Sequence, residues 1–306
     1  MSNIRYNSVL IIGVGLIGSS LARAIKENNL AKNIYGLDNN LDNLKKCNKL
    51  QILSKGTTML DSYSEQFDII LICSPLSTYK KIFFDLNSYI TQDTLITDVG
   101  STKMSVIKDF KENVTNQHLL FVPSHPIAGL EKSGPEFGFA KLFANRFCII
   151  TPHNNDGETI EKISKFWNAI GMQIQIMDAE HHDRVLAMTS HVPQLIAYSI
   201  VATATELETH LKDEVIKYSA AGFRDFTRLA GSDPIMWRDV YSMNKEAVLE
   251  MLGRFTEDLS TLQKAIRNND LSFLENMFRS TREVRKTIEE MGQAGTFDPT
   301  ESKKIK

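Results

Sequence analysis

The chain has 306 residues, more than a single hydrophobic core usually organises, so two domains are expected. Hydrophobic residues make up 42% and charged residues 24%, the composition of an ordinary globular protein. With 35 basic against 37 acidic side chains, no global field steers the molecule toward nucleic acid, another polyanion or a membrane surface.

The opening residues Met1, Ser2, Asn3, Ile4 and Arg5 lack the basic-then-apolar pattern of a secretory leader. No uninterrupted apolar run approaches the ~18 residues needed to span a bilayer. Cys47, Cys73 and Cys148 are odd in number and widely spaced, which fits neither a disulfide framework nor a CxxC metal site. A reducing, cytoplasmic location with no membrane partner and no resident metal is expected.

From Ser8 to Ile150 short β-branched runs alternate with polar helical stretches, as βαβ units require when a parallel sheet is covered on both faces. Strands are expected at Ser8–Ile12, Asn33–Leu37, Phe67–Cys73, Thr94–Asp98, His118–Val122 and Phe147–Thr151. A helix at Gly157–Ile170 and a strand at Gln173–Met177 follow. From Ala179 the strand runs stop, and helices are expected at Ala179–His210, Asp213–Ala221, Met236–Asn268 and Leu271–Met291, with a fraying tail after Gly292. The expected fold class is therefore α/β: an N-terminal Rossmann-type dinucleotide-binding domain (1–178) followed by an all-helical C-terminal substrate and dimerisation domain (179–306). Apolar stretches such as Leu195–Val201 need more partners than one small helical domain offers, which predicts a homodimer through that half.

The sharpest motif is Gly13-Val14-Gly15-Leu16-Ile17-Gly18, directly after the strand Val9–Ile12 and opening a helix. Gly13 permits a tight turn, Gly15 lets backbone approach a pyrophosphate, and Gly18 permits close packing of helix on strand, while the helix N-terminus offers free N–H groups to phosphates. Asp38 ends the second strand, 20 residues beyond Gly18, where a carboxylate can accept hydrogen bonds from a ribose 2′-hydroxyl and repel a 2′-phosphate. Asn39 and Asn40 stand where an NADP site often places Arg, so NAD is the expected cofactor. Ser74 and Pro75, after Cys73, lie where a strand end would edge the cofactor crevice.

Two further segments fall at strand C-termini, where ligands bind in open α/β sheets: Asp98–Lys103 and Pro123–Gly129. The second places His125 in a loop at the cofactor edge, with a near-neutral pKa suited to taking a proton as a hydride leaves. In the helical half, Gly222–Arg228 carries Arg224 and Arg228, i and i+4, whose guanidinium groups suit carboxylates. His181, His182 and Asp183 invite a metal reading, but adjacent residues point about 100° apart on a helix and no HExxH or nearby Cys accompanies them. The pair reads instead as the junction where the second domain begins. Pro193 predicts a kink that aims His191 inward.

The segments GVGLIGSSLA, DVGSTK, SHPIAGLEKSG, SHVPQ and GFRDFTRLAGSDPIMW, in this order, closely resemble the prephenate/arogenate (cyclohexadienyl) dehydrogenase family over nearly the whole chain. The resemblance implies an NAD-dependent oxidative decarboxylation on the way to tyrosine, with prephenate or arogenate as substrate. It also implies His125 as catalytic base, hydrogen-bonded by Ser101, which would orient its tautomer. Arg228 falls on the family's carboxylate-binding arginine, and Arg224 and Asp225 on a neighbouring ion-pair network, Arg224 standing where some relatives have Lys. Glu131 resembles an acidic gate residue that pairs with these basic groups across the domain cleft; Leu130 replaces a threonine frequent there. His191 corresponds to a substrate-site histidine, and Trp237 lies within the same matched segments as a candidate substrate contact. Gln194, being neutral, leans toward prephenate or dual use, because an acidic residue would favour arogenate's ammonium. Two rivals remain: a β-hydroxyacid dehydrogenase-like enzyme relying on a lysine such as Lys217 or Lys245, and a non-catalytic dinucleotide sensor.

Overall fold

The computed structural model describes residues 5–154, 156–206, 214–215 and 217–290. Six strands form one parallel sheet: β1 (Tyr6–Ile12), β2 (Ala31–Leu37), β3 (Lys55–Thr57), β4 (Ile69–Ile72), β5 (Thr94–Asp98) and β6 (Leu119–Val122). Their order, β3-β2-β1-β4-β5-β6, is that of the Rossmann fold, and its direction reverses between β1 and β4, where such sheets open a ligand crevice.

The continuous apolar runs of the strands follow from burial on both faces. Val9 and Ile11 of β1 join a core filled by α1 (Leu16–Glu27) and α5 (Gly157–Ala169), with Leu21, Ile25, Phe166 and Trp167 at its centre. Leu10 and Ile12 join the opposite core, built from α3 (Tyr79–Tyr89) and α4 (Met104–Asn113) with Tyr79, Phe83 and Leu86. Each fully buried Leu or Ile contributes on the order of 1.5–3 kcal/mol, so this sandwich is a rigid platform for the loops at its C-terminal edge. A small second sheet, β7 (Ser124–Pro126), β8 (Phe147–Ile150) and β9 (Gln173–Ile176), follows it.

All the strands expected from the sequence are present. Two were missed. β3 is a short polar edge strand, and β7 was expected to be loop. Its Ser-His-Pro carries no strand pattern, and it becomes a strand only by pairing antiparallel with β8, Ser124 opposite Ile150.

The regular elements after β9 are helical: α6 (Ala179–Leu186), a π-helical turn (Ala187–His191), α7 (Val192–Thr205), α8 (Ala221–Thr227), α9 (Pro234–Met243), α10 (Lys245–Arg267) and α11 (Leu271–Glu290). The expected helix Met236–Asn268 is broken at Asn244, whose backbone leaves the helical region and whose buried side chain turns toward the site. The expected end of the first long helix at His210, Asp213 and Ile216 of the expected helix Asp213–Ala221, Met291 and the tail after Gly292 lie outside the described residues; Glu214, Val215 and Lys217 are helical, and the helix has ended by Ser219. Val240 of α9 is buried in the α3/α4 core, with Trp237 and Met243 packed against it, and docks the helical half onto that face.

The helical run Ala179–Thr205 is 27 residues long and apolar enough by length and composition to cross a bilayer, contrary to the expectation of no such segment. It carries His182, Asp183, His191 and Gln194, all buried and hydrogen-bonded to other parts of the fold, while only 33% of its most apolar stretch is buried within the chain.

Candidate functional site

The glycine-rich turn sits where β1 meets α1. Gly13 has φ +88°, and a Cβ there would lie 2.6 Å from the Ser74 nitrogen, so the turn is pressed against the end of β4. At Gly18 a Cβ would come within 2.0 Å of the Gly13 carbonyl oxygen, which only glycine allows. Gly15 differs: a Cβ there would meet nothing within 4 Å. Its requirement comes from outside the chain, as for backbone that a pyrophosphate approaches. α1 has no side-chain N-cap, so the N–H groups of Leu16, Ile17 and their neighbours are the natural phosphate donors.

Asp38 stands beside this turn, its carboxylate accepting hydrogen bonds from the Val14 N–H at 2.8 Å and the Asn40 N–H at 2.8 Å. Asn40 in turn caps α2 (Leu41–Lys49) by accepting from the Asp42 N–H. Ser74 and Pro75 lead into the turn before α3, the Ser74 hydroxyl 2.8 Å from that of Thr78. The residues thus fit an NAD phosphate cradle with a ribose carboxylate at its far side.

Below the second loop lies a buried ion pair. Lys103 Nζ donates to Asp98 Oδ2 at 2.6 Å and to the Ser124 carbonyl at 2.7 Å, both side chains having 0% exposure. Burial lowers the Lys103 pKa against the pull of Asp98. Asp98 also accepts from the Ser124 N–H at 3.0 Å, so the pair clamps both backbone groups of the residue preceding His125.

His125 is partly buried on β7, not in a loop. Its Nδ1 lies 2.8 Å from Nε2 of His182, and His182 Nδ1 lies 2.8 Å from Asp183 Oδ1. Asp183 further accepts from the Lys103 N–H at 2.8 Å and the Met104 N–H at 2.9 Å, capping α4 from the helical half of the chain. Burial, and then the proximity of His182, Lys103 and His191, holds the His125 pKa well below 6.5, so the ring is neutral at physiological pH. Ser101, expected to bond and orient this ring, is partly buried in the β5–α4 loop but makes no hydrogen bond to His125 among the described residues. His182 holds that place. The His181–His182–Asp183 segment is therefore more than a domain junction: His181 points out, while both ring nitrogens of His182 are engaged.

Pro193 lacks the N–H that α-helical geometry would pair with Thr189, and the chain widens into the π-helical turn Ala187–His191 just before it. The turn carries His191 into the interior at 0% exposure. Asn244 Nδ2 donates to the Asp183 carbonyl at 2.8 Å and contacts His191 Nδ1 at 3.1 Å, which explains the helix break at that residue. An amide nitrogen only donates, so Nδ1 accepts and His191 Nε2 carries the proton; that Nε2 is buried with no partner. Burial brings the His191 pKa to about 4. Trp237 packs edge-on to His191 with ring centroids 5.9 Å apart, and its Nε1 is likewise buried and unpaired. Gln194 Nε2 donates to the Leu229 carbonyl at 2.7 Å, leaving its amide oxygen as the group free to accept.

Arg228 reaches across the cleft to an ion pair with Glu131, in the segment after β7. The expected link of this acid to basic groups of the helical half thus falls on Arg228. Arg224 and Asp225 are exposed on α8 and, among the described residues, no ion pair joins one to the other. Arg228 directly follows the last residue of α8 and keeps αR backbone, so Arg224 and Arg228 retain the expected i and i+4 spacing. Lys217 and Lys245, which the rival dehydrogenase reading needs at the reacting centre, are exposed.

The sequence reading passed over His182, Asp183, Lys103 and Asn244 as functional. Lys103 stands in the Asp98–Lys103 segment and could have been weighed there; Asn244 carries no local signal.

Residues 21–176 match the family model described as prephenate dehydrogenase, nucleotide-binding domain, and residues 178–280 the one described as prephenate dehydrogenase, dimerization domain. The chain is 36% identical to the cyclohexadienyl dehydrogenase of Zymomonas mobilis, over 92% of this chain and 95% of that one. It is 32% identical to a Bacillus subtilis prephenate dehydrogenase, over 91% of this chain and 75% of that one. A crystal structure of prephenate dehydrogenase from A. aeolicus, in complex with hydroxyphenyl propionate and NAD+, aligns with a TM-score of 0.85 at 32% identity, over 92% of this chain and 98% of that one.

Proposed function

Because this chain belongs to the prephenate dehydrogenase family, we propose that it carries out the NAD-dependent oxidative decarboxylation of prephenate, arogenate or both, with His125 as the proton acceptor. The observation that carries the site assignment is a neutral histidine at the sheet edge, facing the helical half that supplies His191, Trp237 and Arg228. Bound along Gly13–Gly18 with its ribose at Asp38, NAD supplies the hydride acceptor.

His125 takes the proton of the C4 hydroxyl of the cyclohexadienol, allowing a carbonyl to form there. The C1 carboxylate then departs as CO₂, its bonding electrons entering the ring, and aromatisation gives 4-hydroxyphenylpyruvate from prephenate or tyrosine from arogenate. Arg228 is assigned to a substrate carboxylate, which would take the place of Glu131 beside it. The unpaired N–H groups of His191 and Trp237 are assigned to substrate oxygens. Gln194 offers an acceptor, which suits arogenate's ammonium at least as well as a keto group; both substrates therefore stand in the proposal.

We place the functional boundary at residue 178, with a Rossmann-type NAD domain before it and a substrate and dimerisation domain after it. A homodimer through the helical half is supported by the exposed apolar residues Ile235, Leu249, Ile266, Phe278 and Val284, and a cytoplasmic location accords with biosynthetic relatives. The test is NADH absorbance with purified protein and NAD or NADP, on prephenate and on arogenate, with His125→Asn as control. NADH formation lost in the variant is expected. No turnover on either substrate would overturn the assignment.

A further inference from the structure

His182 and Asp183 have no place in the chemistry above, yet they lie directly behind the base, 0% and 3% exposed. Their hydrogen bonds leave little freedom. Backbone N–H groups only donate, so both oxygens of Asp183, taken up by Lys103 N–H and Met104 N–H, are acceptors. His182 Nδ1, 2.8 Å from one of those oxygens, must then carry a proton and donate it. A neutral imidazole has a single N–H, so His182 Nε2 accepts, and the contact at 2.8 Å requires His125 Nδ1 to be the donor. The lone pair of the base is left on Nε2.

Resting on the role of His125 as base, we propose that His182, anchored by Asp183, is a positioning residue that holds His125 as the Nδ1–H tautomer and so keeps its Nε2 basic. The opposite arrangement needs a cationic His182 donating from both nitrogens, with His125 then protonated on Nε2 and unable to act. Burial and the nearby Lys103 disfavour that cation, lowering the His182 pKa in spite of Asp183. The other charged or titratable groups around the pair are Asp98, committed to Lys103, His191, neutral through its own burial, and Cys148 on β8, whose thiol burial keeps protonated. When the substrate proton reaches Nε2, the resulting imidazolium still donates from Nδ1 to His182, whose far side rests on a carboxylate. The charge is stabilised without a second proton transfer. The backbone of Asp183 is itself tied by Asn244, so the helical half fixes the orientation of a base that lies on the Rossmann half.

The experiment uses the full chain labelled with ¹⁵N-histidine, read by long-range nitrogen–proton correlation at neutral pH with and without NAD, His125→Asn supplying the assignment. Nδ1–H on His125 is expected; a proton on Nε2 overturns the proposal whatever any variant does. Kinetics of two variants provide the second arm. His182→Phe removes the acceptor and should lower kcat on the order of 10³–10⁴-fold with KM for substrate and NAD unchanged, whereas His182→Gln, whose Oε1 can stand where Nε2 was, should stay within about tenfold of wild type. A His182→Phe protein that keeps the wild-type kcat, or a His182→Gln protein as impaired as it, overturns the proposal. If circular dichroism shows either variant unfolded, the wild-type spectrum decides alone. A wild-type protein inactive on both substrates would sink the proposed function, while the spectrum would still decide the tautomer.

Discussion

Acidification should destabilise the fold through His191, by an amount the structure sets. The ring is fully buried, its Nδ1 accepts from Asn244, and its pKa falls from 6.5 to about 4 through burial. In the unfolded chain the same ring titrates near its ordinary value. Above that value both states are neutral and the full stability is present. As pH falls through it, the unfolded chain binds a proton that the folded one refuses, and stability is lost until the folded ring titrates in turn. Converted at about 1.36 kcal/mol per pH unit, the difference between 6.5 and about 4 corresponds to roughly 3 kcal/mol. Urea unfolding followed by Trp237 fluorescence, its ring 5.9 Å from His191, reads this locally. Between about pH 7 and about pH 4 the wild type should lose roughly 3 kcal/mol more than His191→Gln. His125 and His182, whose pKa values are also lowered chiefly by burial, are present in both proteins, so all but their coupling to His191 cancels in the difference. Equal losses in the two proteins, or a larger loss in the variant, would refute the assignment of His191 as a buried neutral imidazole.

Two glycines of the nucleotide turn should behave oppositely. Gly15→Ala meets open space, so calorimetric stability should change by no more than about 0.5 kcal/mol while the NAD Kd, by titration calorimetry, rises at least about tenfold. Gly18→Ala drives a methyl into the Gly13 carbonyl at 2.0 Å and should instead cost roughly 1–3 kcal/mol of stability. Lys103→Met removes one half of a fully buried ion pair, leaving the Asp98 carboxylate with neutral partners only, the N–H groups of Gly100 and Ser124 and the Tyr79 hydroxyl. A loss of about 3–5 kcal/mol in urea unfolding is expected, and a variant as stable as the wild type would refute the clamp.

Much of the Rossmann half was legible because its signals are local. Val9–Ile12 must be a buried strand, Gly13–Gly18 a turn onto a helix, and Asp38 the end of the next strand, each readable within a few residues. The helical half was legible as helices but not in its breaks. Pro193 gave warning of a disturbance, which takes the form of a π-helical turn; Asn244 gave none, because its departure from helix is enforced by partners more than 50 residues away. Ser101 was matched to His125 by family likeness, yet the ring's Nδ1 is held by His182. Two adjacent histidines in a sequence look alike, and only burial separates the exposed His181 from the 0%-exposed His182.

By itself the sequence determined most of the strands and helices of the Rossmann half, the nucleotide turn and the choice of NAD, since periodicity, glycine spacing and residue chemistry are properties of short segments. The tertiary structure decided which side chain faces Nδ1 of His125, which acid meets Arg228, and which side chains are held neutral by burial. Those outcomes depend on donors, acceptors and burial contributed by segments far apart in the chain, and they take definite values only when the helical half is packed against the edge of the sheet.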